Sequence, residues 1–222
     1  LFFMPELRCA DEPLPCGAML PGYTSYSNYR DSKEGTVVLL RDGVFELDPD
    51  ADHALVRVGG SVKAGNKTGL IVRARRCGNP NQRVTIVSVH LKGGSSQEAG
   101  HQERAYLLGE IVAQLKDGES VVLAGDFNTK PGQPLTRLDD LLLKHGLVRV
   151  LNPPGTPTGL RGSLAYDPKH VIDHIYTRGA RVQGSVRIGE LARDGRGPFG
   201  RVGDGSDHAW VLTNIELTAC DI

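Results

Sequence analysis

Short apolar runs rich in β-branched residues recur along the chain: TVVLL (36–40), TGLIVRA (68–74), RVTIVSVH (83–90), ESVVLAGD (119–126), HVIDHIY (170–176) and HAWVLTNIEL (208–217). Runs of this length bounded by Gly, Pro, Asn or Asp predict strands. The period changes in two stretches. Over 97–116, Leu108, Ile111, Val112 and Leu115 recur at the spacing of a buried helical face. Over 135–145, Leu138, Leu141 and Leu142 do so more briefly, and Gly146 supplies the stop. Strands outnumber helices, and alternating runs are mixed with continuous ones, a pattern that predicts an α/β layered sandwich with mixed sheets inside and helices outside.

Neither an internal repeat nor a Ser/Pro/Gly linker divides the 222 residues, so one domain is expected. Folding at this length buries enough surface for a core without metal or disulfide staples. No apolar run approaches the ~20 residues of a membrane span, and nothing at the start reads as a signal peptide. An intracellular protein with no membrane association is expected. Lys and Arg number 26 against 26 Asp and Glu, so charge alone neither argues for nucleic acid nor excludes a local basic surface. Cys9, Cys16, Cys77 and Cys220 form no C-x-x-C pair. Free thiols are expected, with a Cys9–Cys16 bridge left open.

The chemistry-bearing residues sit at strand ends. VVLAG (121–125) is apolar without a break, as a strand covered on both faces should be, and it runs into Asp126, Phe127 and Asn128. A carboxylate and an amide at the mouth of a buried strand are rigidly held yet reachable, although an Asx-turn that merely starts the loop reads the same way. The strand at 84–90 ends likewise in His90, a position open to a structural or a catalytic role. Asp173 is expected in the middle of a strand, on one face with Val171 and Ile175, where a carboxylate needs a partner. His208 in GSDH (205–208) is the candidate, since a His–Asp hydrogen bond fixes the imidazole tautomer, and Asp207 then remains for a metal or water. Arg104 falls on the apolar line of the first helix, where it should pair with a carboxylate or with phosphate. Glu6 closes the apolar LFFMPEL segment and gains interest only as a third carboxylate around a hard divalent cation such as Mg²⁺.

Glu in MPEL, a strand ending in HLK, GDFN followed by a Pro, IDHI and a terminal GSDH occur here in the order seen in the endonuclease/exonuclease/phosphatase superfamily. Over residues 1–217 the chain resembles that group, nearest to its nocturnin-like deadenylase and tyrosyl-DNA phosphodiesterase branches. The resemblance implies a four-layer sandwich of two mixed β-sheets flanked by helices, and phosphoester hydrolysis with Mg²⁺ or Mn²⁺. It casts Glu6 as the metal-binding glutamate and Asp207 as the second metal-side carboxylate. Asp126 resembles the aspartate that positions or deprotonates water, Asn128 the amide that holds the scissile phosphate, and His90 the histidine that hydrogen-bonds it. Asp173 and His208 resemble the supporting pair beside the phosphate. Arg104 stands where those two branches have an arginine after HL. The family normally opens with a strand bearing an Asn, whereas this chain opens on LFFM. The expectation is one domain over 1–222 that lacks its first strand.

HLK with Glu103 and Arg104 resembles the deadenylase and tyrosyl-phosphodiesterase branches more than the apurinic endonucleases. A nuclease acting on RNA or single-stranded DNA ends by a 3′-exonuclease route is therefore expected. Two alternatives stay open: a non-catalytic scaffold of the same fold in a larger protein complex, and a lipid or small-molecule phosphodiesterase. Two further features suit nucleic acid. A stretch over 178–201 reads as a loop carrying Arg178, Arg181, Arg187, Arg193, Arg196 and Arg201, which suits a phosphate backbone or a plain soluble surface. Tyr23, Tyr26 and Tyr29 suit base stacking or the core.

Overall fold

The computed structural model describes residues 2–4, 21–30, 34–93, 97–128, 136–150, 160–161, 165–166, 172–188 and 211–217. Strands β1 (Phe2–Met4), β2 (Tyr23–Arg30) and β3 (Glu34–Arg41) form an antiparallel sheet in the order β1-β3-β2. The chain then enters a seven-stranded sheet through β4 (Phe45–Leu47), β5 (Leu55–Gly59), β6 (Thr68–Arg76) and β7 (Asn79–His90). Helix α1 (Gln97–Val112) carries it back to β8 (Val121–Asp126). Strands β7 and β8 lie parallel, the pairing that requires such a crossover. Helix α2 (Thr136–Leu143) leads to β9 (Val148–Val150), and the short pair β10 (Leu160–Arg161) and β11 (Ala165–Tyr166) follows. Strand β12 (Asp173–Arg178) inserts between β8 and β9, giving the order β4-β6-β7-β8-β12-β9 with β5 also on β6. The described chain closes with the ribbon β13 (Ala180–Ile188) and β14 (Val211–Leu217).

Two apolar layers hold these parts together, and alternation along the strands assigns each side chain to one of them. Leu70, Val72, Ile86, Val122, Ala124 and Ile175 project from the large sheet toward Val38 and Leu40 of the small one, with Ile215 and Leu217 of β14 against the same core. Ile71, Val87, Val89, Leu123 and Tyr176 project the other way and meet Leu107, Leu108, Ile111 and Val112 of α1 and Leu138 and Leu142 of α2. The expected α/β sandwich of sheets with helices outside is thus the observed one, with both described helices on the far face of the large sheet.

Most predicted elements lie where the pattern put them, with instructive differences at their ends. Every residue of β8 is buried, as the unbroken apolar run requires. The first helix stops at Val112 rather than 116. Gln114 and Leu115 donate to Ile111 and Val112 three residues back, so the last turn tightens while Leu115 still packs on the core. The second helix ends as expected: Gly146 (φ 71°) donates to Leu143 O while Leu147 donates to Leu142 O, a glycine-terminated Schellman cap. Asp173 opens β12 instead of lying mid-strand, and one further backbone bond, from Phe127 N–H to Ile172 O at 2.8 Å, precedes it. The stretch expected as an Arg-rich loop from 178 is strand over Ala180–Ile188, paired with β14. No helix among the described residues is long and apolar enough to cross a membrane.

Candidate active site

Pairing register gathers the site. His90 lies opposite Asp126 in the parallel β7–β8 pair, Asp173 opposite Asp126 in the antiparallel β8–β12 pair, and Thr68 of β6 opposite His90. Ladder partners project to the same face, and these positions share the alternation of Leu70, Ile86, Ala124 and Ile175. Thr68, His90, Asp126 and Asp173 therefore form one polar row across four strands, at the rim of the core between the two sheets. All four are buried, with His90 at 5%, Asp126 at 2% and Asp173 at 6% exposure.

The loop after β8 fixes the central carboxylate. Asn128 adopts the left-handed conformation (φ 48°), and its backbone N–H donates to Asp126 Oδ1 at 2.6 Å. That contact is an Asx-turn, so the two readings of Asp126 coexist: the turn is what aims the carboxylate. The Asn128 side-chain Nδ2 donates to Asp126 Oδ2 (2.6 Å) and to Leu91 O (3.0 Å). Both partners are pure acceptors, which settles the amide orientation and commits its two protons inside the protein. Two glycines make this approach feasible. A Cβ on Gly125 (φ 146°) would stand 2.0 Å from Val89 O, and one on Gly93 would stand 2.6 Å from Asn128 Oδ1.

His90 faces two charges. Its Nε2 is 3.7 Å from Asp126 Oδ2 and 3.3 Å from Lys67 Nζ. Lys67 precedes β6 directly and no motif marks it; its role emerges only because β6 pairs with β7 and brings the ammonium beside the histidine. Arg104 is buried on α1 as its place in the apolar line predicted, but it makes no carboxylate bridge among the described residues. Its Nη1 donates to Lys92 O at 2.9 Å, with a longer contact to Asn128 O at 3.5 Å. The guanidinium ties the segment after His90 to the segment after Asp126, and among the described residues its buried Nε has no hydrogen-bond partner. Burial lowers its pKa, against the opposing pull of Glu103 and Asp126.

Behind the row, Phe127 is fully buried and meets the His174 ring edge-on at 5.5 Å and the Tyr176 ring at 5.1 Å. Tyr176 donates its hydroxyl to Asp139 Oδ1 at 2.7 Å, and burial followed by that bond raises its pKa. This aromatic stack anchors the loop that presents Asp126 and Asn128. Asn28 of β2 joins the two sheets at the same rim, donating to Gly69 O (2.8 Å) and Val58 O (3.2 Å). Of the tyrosines considered for stacking, Tyr26 packs on the core between the sheets, and burial raises its pKa.

The structure thus brings together His90, Asp126, Asn128 and Asp173 and places Arg104 directly behind them. Glu6, Asp207 and His208 lie outside the described residues, as do Cys9, Cys16 and Cys220; Cys77 is a free thiol. The carboxylates of Asp126 and Asp173 are hard oxygen donors of the kind Mg²⁺ or Mn²⁺ takes, and Cys77, the cysteine among the described residues, lies beyond the other end of β6. Among the described residues no group of three or more His, Cys, Asp or Glu side chains gathers as a metal site.

The model of the Endonuclease/Exonuclease/phosphatase family matches residues 1–208. No curated protein sequence matches the chain. Several solved structures share its fold. A conserved protein of unknown function from Enterococcus faecalis is 21% identical, with 87% of this chain and 77% of that one covered and a TM-score of 0.61. The catalytic domain of human Nocturnin with bound sulfate anion is 14% identical, with 89% and 73% covered and a TM-score of 0.62. TDP2 from D. rerio, complexed with a single-strand DNA product, is 14% identical, with 88% and 77% covered and a TM-score of 0.60.

Proposed function

Given that the chain belongs to the Endonuclease/Exonuclease/phosphatase family, we propose that it is a Mg²⁺- or Mn²⁺-dependent phosphodiesterase that hydrolyses nucleic acid, acting as a 3′-exoribonuclease or a related nuclease. Members of the family are generally hydrolytic nucleases and phosphatases. The observation that carries the reading is the registered row of His90, Asp126 and Asp173 at one rim, with Asn128 locked onto the central carboxylate. Two of the structures sharing the fold are those of a catalytic domain with sulfate and an enzyme with single-strand DNA. Those ligands belong to those proteins, and they support an anionic phosphoester as the substrate class here.

In-line attack on a phosphodiester needs an oriented water, neutralised charge on the non-bridging oxygens and help for the leaving oxygen. Asp126 is the group that orients and deprotonates the water. Its two oxygens are pinned by the backbone and amide of Asn128, so its position costs little to reach on substrate binding. His90 and Lys67 supply positive or hydrogen-bonding density beside it, where a non-bridging oxygen would sit. Asp173 supports the row from the far side and is the partner proposed for His208. Arg104 holds the two loops in register. Glu6 and Asp207 are the residues that would hold the divalent cation, which when bound offsets charge on the phosphate.

The test is incubation with end-labelled RNA and DNA oligonucleotides, with Mg²⁺ and with EDTA, using wild type and Asp126→Ala. Cleavage that requires Mg²⁺ and disappears in the variant is expected. Cleavage that survives EDTA, or that Asp126→Ala retains, overturns the mechanism.

A further inference from the structure

One outer face of α1 carries Ala99, Gln102, Glu103 and Tyr106 at successive helical turns, and the turn preceding β6 places Lys63 over it. Together they line a cavity of about 370 Å³. Tyr106 is 39% exposed, and the Lys63 ammonium stands 5.9 Å from its ring centroid. The Glu110 carboxylate one turn along raises the pKa of the tyrosine hydroxyl, so the phenol stays neutral. Glu103 contributes a buried carboxylate oxygen, Oε2, that has no hydrogen-bond partner among the described residues. Structural duty does not account for this set: a part-exposed aromatic face, a cation above it and a carboxylate in the same wall.

The cavity also lies within reach of the row at the sheet rim. Lys63 and Lys67 belong to one turn, four residues apart, hence at most about 14 Å along the chain, and Lys67 touches His90. The same turn presses on the segment that follows His90, since a Cβ at Gly65 would stand 2.9 Å from Lys92 Cγ.

We propose that this cavity is a nucleobase subsite for a single-stranded nucleic acid whose scissile phosphate lies at the rim, an inference that rests on the nuclease reading above. The base stacks on Tyr106, Lys63 moves from the ring face to the adjoining phosphate, and the Glu103 carboxylate in the cavity wall accepts from an exocyclic amine. A stacking platform tolerates any base. A carboxylate acceptor favours the bases that carry an exocyclic amine, adenine, cytosine and guanine, over uracil, which has none.

The experiment is fluorescence anisotropy in EDTA with labelled hexa-adenylate, hexacytidylate and hexauridylate, using the full chain. Wild type is expected to bind the first two more tightly than the third. Tyr106→Ala should weaken all three about tenfold or more, while Tyr106→Phe keeps wild-type affinity. Glu103→Gln should erase the preference over hexauridylate, and Lys63→Glu should weaken all three alike. Unchanged affinity in both Tyr106→Ala and Lys63→Glu overturns the subsite, as does absence of binding by wild type. Cleavage assays alongside separate the two readings. RNA cleaved in Mg²⁺ with no dependence on Tyr106 overturns the subsite alone. RNA bound through Tyr106 and never cleaved overturns the nuclease reading and supports the binding site.

Discussion

The same four strands end in two different rows, roughly 16 Å apart for five residues of strand. At one end stand Thr68, His90, Asp126 and Asp173; at the other, in the same register, stand Arg73, Thr85, Val121 and Arg178. The second row is a staple. Arg73 donates to Glu119 Oε1 (2.9 Å), His53 O (2.9 Å) and Gln114 O (2.5 Å). Arg178 donates to the carbonyls of Glu119, His145 and Lys116, so neither guanidinium is left for a phosphate backbone. At the first end the groups are acidic or ambivalent, and buried atoms keep unused capacity: Ser88 Oγ, Thr36 Oγ1 and Arg104 Nε have no hydrogen-bond partner among the described residues. Buried polar groups are ordinarily satisfied, so a complete set marks a fastening and an incomplete one at a rim marks a place for a ligand.

Exchanging damage between the two ends is the sharpest way to break that contrast. Asp126→Asn keeps the size of the side chain and removes its charge. It should lower kcat by about 10²–10³ and lower the melting temperature less than Arg73→Ala does, since the new NH₂ opposes only one of the two Asn128 donors, measured by Mg²⁺-dependent cleavage and by calorimetry. Arg73→Ala should do the reverse. It strands Glu119 and two carbonyls, destabilising the chain by about 2–3 kcal/mol and lowering the melting temperature by roughly 4–12 °C. Its kcat, taken where the protein is folded, should match wild type. Equal loss of activity in both variants would erase the distinction.

Arg104 tests the boundary between the two kinds of residue, because it is buried like the staple and sits beside the row. Arg104→Lys keeps a donor for Lys92 O and loses the rigid planar group whose Nη1 also reaches Asn128 O. A fall of about tenfold in kcat with KM unchanged is expected for a residue that positions the loops, and Arg104→Ala should fall further. A rise in KM alone would instead make it a substrate contact.

Much of this was legible before any coordinates. The breaks in period mark α1 and α2, the glycine after Leu143 marks the cap, and the unbroken VVLAG run marks a strand buried on both faces. Asp126, Asn128 and His90 stand out because polar residues close strands that are otherwise apolar. Lys67 was invisible because a lysine before a strand is ordinary until pairing places it against His90. The carbonyl partners of Arg104 were hidden for a related reason: a helical wheel reports that a side chain is buried, and backbone carbonyls from two loops cannot be read from composition. Asp173 stands at the strand start rather than mid-strand, since where β12 begins depends on its pairing with β8, which its own residues do not reveal.

Local periodicity, turn chemistry and residue type are properties of neighbouring residues, and they determined the elements and the side chains that close them. Which strand lies beside which, and in what register, depends on contacts between residues far apart in the chain. That register alone decided that His90, Asp126 and Asp173 share one face, and that Lys67 and Arg104 stand against them.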